Sequence, residues 1–163
     1  MIRRVNLPLL GLVLLITPTL DASVPVRVLE PGSQANEKQV VLRGRASCVE
    51  SNGKTVPDDS DCSIDSVKFT FHSKDGKIYT FVPDDALTAM LTDHRVRRQE
   101  LQLTAWERRK DQIELIAVQS AKNGKLYDVF YYCDVCNITA YAPGPCPCCR
   151  RELEFKEAPA TEP

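Results

Sequence analysis

Two closely spaced pairs of cysteines near the C-terminus constrain this chain more than any other feature. Two residues separate the cysteines within each pair and nine separate the pairs; the four are Cys133, Cys136, Cys146 and Cys149. A C-x2-C turn is tight enough for both sulfurs to bind one ion, and two such turns complete the tetrahedral four-thiolate set of a zinc site. Sulfur ligands select zinc, iron or copper(I) over magnesium or calcium. The spacing therefore predicts a zinc-type ion bound by these four thiolates.

The composition of the segment between the two pairs indicates that this region is stabilised by a metal ion rather than by a hydrophobic core. Residues 137–145 are too few and too poor in apolar groups to fold by burial alone, and a bound ion would supply the missing folding free energy. Two alternatives stay open. The four cysteines can form two disulfides if the chain is exported. One pair can also be a redox pair of the thioredoxin type, although no strand–helix context surrounds either pair.

The remaining three of the seven cysteines are Cys48, Cys62 and Cys148. Cys48 and Cys62 bracket the first long loop, so we predict a disulfide that closes a loop of about 15 residues and stabilises the fold by roughly 3 kcal/mol. The alternative is two buried free thiols. Cys148 is then the odd cysteine: a free thiol, an alternative metal ligand or a partner for another chain.

The cysteine-rich end also resembles a known family. Residues 132–153 read Tyr-Cys-x-x-Cys, then Pro-Gly-x-Cys-Pro-x-Cys, then Leu153. This segment resembles the short heavy-metal-binding domain of copper and other heavy-metal efflux proteins, and more generally zinc ribbons and rubredoxin-type knuckles. The resemblance implies that the same four cysteines are the ligands.

The chain departs from that family at two places. The family has Pro and then Met-His in the first unit, where Asp134, Val135 and Cys136 stand here. It has Gly-Met after the last ligand, where Arg150 and Arg151 stand here. The missing methionine disfavours copper handling, and four thiolates favour a closed structural zinc site.

The N-terminus has the pattern of a secretory signal peptide. Arg3 and Arg4 precede an apolar stretch over 7–20, and Ala22 offers a small residue for cleavage. The stretch is shorter than the roughly 20 residues that cross a bilayer, and prolines interrupt it. We therefore predict a signal peptide over 1–22 and a secreted or periplasmic protein without a stable membrane span. The alternative is an uncleaved anchor.

Alternation of apolar and polar residues predicts a mainly β chain. The predicted strands cover 39–48, 67–72, 78–82, 100–106, 113–119 and 126–132. One short helix follows the third strand, capped by Asp84 or Asp85, with Leu87, Met90 and Leu91 as its apolar stripe. Three strands, a helix and two strands is the order of the OB-fold, a small five-stranded barrel. Another small barrel, or a meander with one helix, is the alternative.

These elements give the predicted domain organisation. Residues 23–38 form a linker, 39–120 an OB-like barrel, 121–157 a β-hairpin with a zinc-ribbon-like knuckle, and 158–163 a disordered tail. Within the barrel, the turn at Asp75-Gly76 decides which face is buried. A type I turn with a glycine bulge pairs Phe71 with Tyr79 and gathers five large apolar side chains on one face.

Basic residues flank the fourth strand at both ends. With Trp106 they suggest a ligand-binding patch on the barrel; its members are Trp106, Arg97, Arg98, Arg108 and Arg109. The simpler interpretation is that these residues only mark turns, and the net charge of −1 and export favour it. We expect His72, His94 and the acidic loop at Asp58, Asp59 and Asp61 to be solvated.

The sequence contains no motif of catalysis. It has no paired-carboxylate site, no G-x-S-x-G and no glycine-rich phosphate loop. We predict an exported, non-catalytic binding or adaptor protein with a structural zinc site and a protein or envelope component as partner. Two competing functions are heavy-metal handling by the knuckle, and binding of oligosaccharide or single-stranded nucleic acid on the barrel.

Overall fold

The structure is a computed structural model that describes residues 38–63 and 67–161. Eight strands and two short helical segments make up the described part, so the chain is mainly β, as predicted. The strands are β1 Lys38–Glu50, β2 Val67–Ser73, β3 Ile78–Phe81, β4 Leu101–Arg109, β5 Gln112–Lys122, β6 Lys125–Cys133, β7 Ile138–Ala140 and β8 Glu154–Pro159. A 3₁₀ helix covers Ala86–Thr92, and one α-helical turn, α1, covers His94–Arg97. The predicted signal peptide and nearly all of the predicted linker lie outside the described residues.

Five strands close into a ring. β1 pairs antiparallel with both β2 and β4, and β4 pairs with β5. β3 pairs antiparallel with β2 and parallel with β5, which completes the order β1-β2-β3-β5-β4. β6 extends the sheet from β5, and both β7 and β8 pair with β6.

β1 changes partner at a glycine. Gly44 pairs with Leu101 of β4 and also with Ser73 of β2, so the two neighbours of β1 meet there. A Cβ atom on Gly44 would lie 2.0 Å from the backbone oxygen of His72. The close approach that lets one strand serve both sides of the ring therefore requires glycine.

The β2–β3 hairpin has the predicted bulged turn. Phe71 pairs with Tyr79, and Gly76 has a φ of 86° that glycine adopts without strain. Phe71 and Tyr79 are buried, while Phe69 and Phe81 are half-buried and pack against the same core. The prediction that this register gathers the aromatic side chains on one face is confirmed.

The single predicted helix is instead two short segments. Asp85, not Asp84, caps the 3₁₀ helix by accepting the Leu87 N–H at 3.0 Å. Its other carboxylate oxygen accepts the Leu115 N–H of β5 at 2.7 Å, so the cap also fastens the helix to the ring. Burial raises the pKa of Asp85 although both N–H groups lower it. Asp93 has extended backbone, ends the 3₁₀ helix and caps α1, which is why the helix breaks.

The core runs without interruption from the ring into the cysteine-rich end. It includes Leu103 and Ile113 of the ring together with Tyr131, Cys133 and Cys146. The predicted barrel and knuckle therefore share one core. No helix in the described ranges is long and apolar enough to span a membrane.

The prediction of a disordered tail from residue 158 is wrong for its first residues. Ala158 and Pro159 belong to β8, and the Ala160 N–H donates to the Leu126 carbonyl oxygen at 3.0 Å. β8 forms because the second edge of β6 needs partners for its backbone groups. Phe155 of β8 also packs edge-on against Tyr131, with ring centroids 5.9 Å apart.

Candidate metal centre

Two hairpins of the same size carry the four predicted ligands. In the first, Cys133 at the end of β6 pairs with Ile138 at the start of β7. In the second, the Cys146 N–H donates to the Arg151 carbonyl oxygen at 2.7 Å. The partner lies five residues after the first cysteine in both turns, so each C-x2-C unit occupies an equivalent turn.

The backbone of each turn is directed at a sulfur. The N–H groups of Cys136 and Val135 donate to the Cys133 sulfur, and those of Cys149 and Cys148 donate to the Cys146 sulfur. The residue after each turn has left-handed backbone: φ is 54° at Asn137 and 64° at Arg150. Both units therefore have the conformation that presents two sulfurs to one point.

These donors and the crowding of thiols shift the cysteine pKa values. Hydrogen bonds from the Cys149 and Cys148 N–H groups lower the pKa of Cys146 to about 7. The Cys136 N–H lowers the pKa of Cys133, but burial and the neighbouring thiols outweigh it and the pKa is raised overall. Contact with the thiols of Cys148 and Cys149 raises the pKa of Cys136. Neighbouring thiols of the cluster therefore differ in pKa. A bound cation would stabilise the thiolate form of all four.

The four sulfurs have the separation of a tetrahedral site. All four lie within 4.8 Å of one another, and the sulfurs of Cys133 and Cys149 are 3.5 Å apart. Tetrahedral zinc with bonds of about 2.3 Å places its sulfurs roughly 3.8 Å apart. All four are free thiols in the structure, which favours a metal cluster over two disulfides. The donor set thus fits a zinc-type ion, and we call these four residues the four-cysteine cluster.

The four-cysteine cluster has a buried side and a solvent side. Cys133 and Cys146 are 2% and 0% exposed and belong to the hydrophobic core. Cys136 and Cys149 are half-buried, and Cys148 is exposed. An ion bound here would link both hairpins to the hydrophobic core through the buried ligands Cys133 and Cys146.

The predicted disulfide between Cys48 and Cys62 is present. It joins the end of β1 to the loop before β2. The Cys62 N–H also donates to the Thr92 carbonyl oxygen at 2.9 Å, so the loop is held against the end of the 3₁₀ helix.

Arg97 is buried and cannot belong to a surface patch. It is 2% exposed, and its guanidinium donates to the Cys62 sulfur at 3.1 Å and to the carbonyl oxygens of Leu91 and Ser60. Burial lowers the pKa of Arg97, whereas nearby aspartates raise it. The prediction that Arg97 belongs to a ligand-binding patch is therefore wrong. Arg97 instead holds the disulfide loop in place through its bonds to Cys62 and Ser60. Its acceptors lie in two segments, the disulfide loop and the 3₁₀ helix, which explains why the fold buries it.

The other residues of the predicted patch are also not brought together. Trp106, Arg108 and Arg109 lie near the end of β4, whereas Arg98 precedes its start. A strand of this length spans about 30 Å. Arg108 also forms an ion pair with Glu114 at 2.5 Å, which offsets its charge. The described residues therefore do not assemble the patch as a single surface.

Sequence reasoning missed a second polar cluster at Asp61, Asp93 and His94. One Asp61 oxygen accepts the His94 backbone N–H and contacts the His94 Nδ1, both at 2.8 Å, so Asp61 is bound to the first residue of α1 rather than merely solvated. These bonds lower the pKa of Asp61. Asp93 is 4% exposed, and its carboxylate already accepts hydrogen bonds from the Arg95 guanidinium and the Tyr131 hydroxyl. The cluster is therefore structural. The only sequence signal for this cluster was Asp93, an aspartate directly before the first helical residue, His94.

No protein family model, characterised protein or solved structure is significantly similar to this chain.

Proposed function

We propose that this chain is an exported, non-catalytic binding or adaptor protein in which a structural zinc ion fastens a zinc-ribbon-like knuckle to an OB-like barrel. One observation carries the proposal: Cys133 and Cys146 lie in the same hydrophobic core as the five-stranded ring. A metal bound by these cysteines would stabilise the whole domain rather than an independent appendage.

The strand order supports the OB-like barrel. The ring β1-β2-β3-β5-β4 has one long strand, β1, shared between its two sides, and a helical segment between β3 and β4. The OB-fold is a five-stranded Greek-key barrel. The fold hosts many binding functions and therefore does not itself select a ligand.

Zinc is the ion that best suits the four-cysteine cluster. Four thiolates in two equivalent turns close the coordination sphere, which is typical of structural rather than catalytic zinc. Without an ion, the short second hairpin has only Cys146 and Leu153 as buried apolar residues. Residues 132–153 also contain no methionine or histidine, which the heavy-metal-binding domain that this segment resembles has in its metal-binding units.

Export is supported by the covalent chemistry of the chain. Disulfides such as Cys48–Cys62 persist in oxidising compartments and are rare in the cytosol. The signal-like N-terminus agrees with that compartment.

The binding partner is proposed to be a protein or envelope component rather than nucleic acid. Nucleic-acid affinity depends on several cations that contact phosphates together. Here Arg97 is buried, Arg108 is paired with Glu114, and Arg98 lies beyond the other end of β4. The net charge is −1. Charge thus disfavours the oligonucleotide alternative.

The first experiment is elemental analysis and a thiol count on the mature protein, purified from an exporting host without added metal. We expect about one zinc per chain, the stoichiometry of a four-thiolate site. Denaturation with a chelator should expose five free thiols, and mass spectrometry should place the N-terminus after residue 22. A metal-free protein with one free thiol would contain three disulfides and would overturn the zinc proposal.

A second experiment tests the barrel as a nucleic-acid or sugar site. Trp106 is the only tryptophan, so its fluorescence reports binding near the end of β4. We expect no change on titration with single-stranded DNA or with an oligosaccharide. Saturable binding of DNA that weakens steeply with salt would move the function to the barrel.

A further inference from the structure

The Arg97 guanidinium is a buried cation without a contacting anion among the described residues. It is 2% exposed, and its acceptors, the Cys62 sulfur and the carbonyl oxygens of Leu91 and Ser60, are all uncharged. A buried charge is costly unless an opposite charge compensates for it. These bonds therefore satisfy the donors of Arg97 but leave its charge without a counter-ion.

The acidic side chains that act on Arg97 do not contact it. Asp58, Asp61 and Asp93 act on its charge through space, without a hydrogen bond to the guanidinium. Asp93 already forms an ion pair with Arg95 at 2.7 Å, and the Asp61 side chain is 69% exposed, where water screens its charge. Among the atoms in contact with the guanidinium, only the Cys62 sulfur can become an anion, and it does so when its disulfide is reduced.

The Cys62 sulfur is also the one that an external reagent reaches. Arg97 Nη1 lies 3.1 Å from it. Cys62 lines two surface clefts, of about 220 and about 250 Å³, and is 8% exposed. Cys48 is 1% exposed and lines neither cleft. A thiolate that enters either cleft therefore meets Cys62 before Cys48.

We infer that Cys48–Cys62 is a site of thiol–disulfide exchange with an external dithiol, in which Arg97 stabilises the Cys62 thiolate that reduction releases. The oxidised protein has a buried cation without a counter-ion, and the reduced protein has an ion pair in its place. A neighbouring cation favours the thiolate over the thiol, so this contact favours reduction. The exchange site is separate from the four-cysteine cluster and goes beyond the proposed function.

The exchange takes two steps. In the first, one thiolate of the dithiol attacks the Cys62 sulfur and forms a mixed disulfide, and Cys48 leaves and takes up a proton. In the second, the other thiol of the reagent loses its proton to water and attacks the reagent sulfur of the mixed disulfide, which releases Cys62 as a thiolate beside Arg97. A stabilised leaving thiolate speeds this step. Two electrons pass to the protein, the reagent becomes a disulfide, and one proton is released to water overall.

The first test is the pH dependence of this reduction in the folded wild type. The protein is equilibrated with mixtures of reduced and oxidised dithiothreitol, and free thiols are then alkylated. Tryptic peptides 46–54 and 55–68 carry Cys48 and Cys62 apart from the other five cysteines, so mass spectrometry reads each of the two alone. Because each exchange releases one proton, we expect the equilibrium constant for reduction to rise about tenfold from about pH 7 to about pH 8, below the usual thiol pKa of about 8.5.

Two outcomes of this test contradict the inference. If the equilibrium constant is the same at both pH values, both cysteines take up protons and no thiolate is retained. If dithiothreitol reduces the bond only after urea is added, the disulfide is structural and does not exchange in the folded protein.

The second test separates the charge of Arg97 from its packing. We expect Arg97→Gln to have an equilibrium constant about tenfold lower than wild type at about pH 8, which corresponds to about 30 mV, and to lose the pH dependence. Arg97→Lys keeps the charge and should retain the pH dependence. His94 is present in all of these proteins, so its titration cancels. Arg98→Gln removes an exposed cation next in sequence, and this charge-matched control should match the wild type.

A structural role for Arg97 would give a different result. Arg97→Gln would then be less stable in urea but would keep the wild-type equilibrium constant and its pH dependence, which would overturn the inference. Circular dichroism shows which variants are folded. If Arg97→Gln is not, the pH dependence of the wild type decides. Zinc content enters none of these measurements, so a chain without zinc would overturn the proposed function and leave the exchange site standing.

Discussion

The Tyr131 hydroxyl donates to the Asp93 carboxylate at 2.9 Å and so connects β6, two residues before Cys133, to the cap of helix α1. Tyr131 is fully buried, and Asp93 is 4% exposed. The same carboxylate accepts three hydrogen bonds from Nε and Nη2 of the Arg95 guanidinium, which lies 5.0 Å above the Phe155 ring of β8. This network joins the helical segment between β3 and β4 to the two strands that flank the four-cysteine cluster in sequence, β6 before it and β8 after it.

Tyr131→Phe tests how strongly this connection stabilises the fold. The substitution keeps the ring and its edge-on contact with Phe155 but removes the hydrogen bond to a buried charge. A bond of this kind contributes about 2 kcal/mol, so we expect urea denaturation to show a loss of that size. Tyr132→Phe is the matched control, because the Tyr132 hydroxyl bonds to exposed Asn137. An equal loss in both variants would contradict the special role of the Asp93 bond.

Asp93 should make the stability of the protein sensitive to acid. Burial raises the pKa of Asp93, but the hydrogen bonds from Arg95 and Tyr131 outweigh it and hold the pKa below the usual 3.8. A carboxylate with a lowered folded-state pKa stabilises the fold above its unfolded pKa, and this contribution is lost as the pH falls through the folded value. The loss therefore belongs to the range below about pH 4.

The measurement is the free energy of unfolding of wild type and Asp93→Asn between neutral pH and the acid limit of folding. We expect the difference between the two proteins to shrink as the pH falls below about 4. Both contain the same four cysteines, so acid release of a bound metal cancels in the difference. Curves that stay parallel down to the acid limit would show that Asp93 has no lowered pKa.

The sequence predicted the strands well because apolar alternation reports burial directly. It also predicted the bulged turn at Gly76, since only that register buries Phe71 and Tyr79 together. It missed β8, whose residues are mostly charged or small and whose pairing depends on the free edge of β6. An edge left open by another strand is a property of the fold, not of the local sequence.

The four-cysteine cluster was predictable because short spacing forces the two sulfurs of each pair together. Side chains that meet over long separations were not. Arg97 was assigned to the surface because arginine usually lies there, yet its three acceptors come from segments that only the fold brings together. Asp61 and His94 are 33 residues apart, and no local pattern predicts their contact.

Gly44→Ala should be among the most damaging single substitutions. The new Cβ would lie 2.0 Å from the His72 carbonyl oxygen, and backbone atoms cannot move away as a side chain can. We expect a loss of about 3 kcal/mol by urea denaturation, the upper range for overpacking. Gly76→Ala is the control: its Cβ meets nothing within 4 Å, and only its positive φ is unfavourable, at about 1 kcal/mol. A Gly44→Ala protein as stable as Gly76→Ala would show that β1 does not approach β2 so closely.

Arg150 should carry backbone strain that glycine relieves. It has a φ of 64° directly after Cys149, a conformation that costs an L-residue about 1 kcal/mol or more, while its exposed side chain has no hydrogen bond to lose among those described. Comparing Arg150→Gly with Arg150→Ala removes the charge in both and changes only the backbone preference. We expect the glycine variant to be more stable than the alanine variant by about 1 kcal/mol in urea denaturation of the zinc-loaded proteins.

The same pair of substitutions at Arg151, which lacks a positive φ, is the control. There we expect the alanine variant to be the more stable one, because glycine only adds freedom to the unfolded chain. If alanine is the more stable residue at both positions, the second turn does not hold Arg150 in the left-handed conformation, and the equivalence of the two metal-binding turns fails with it.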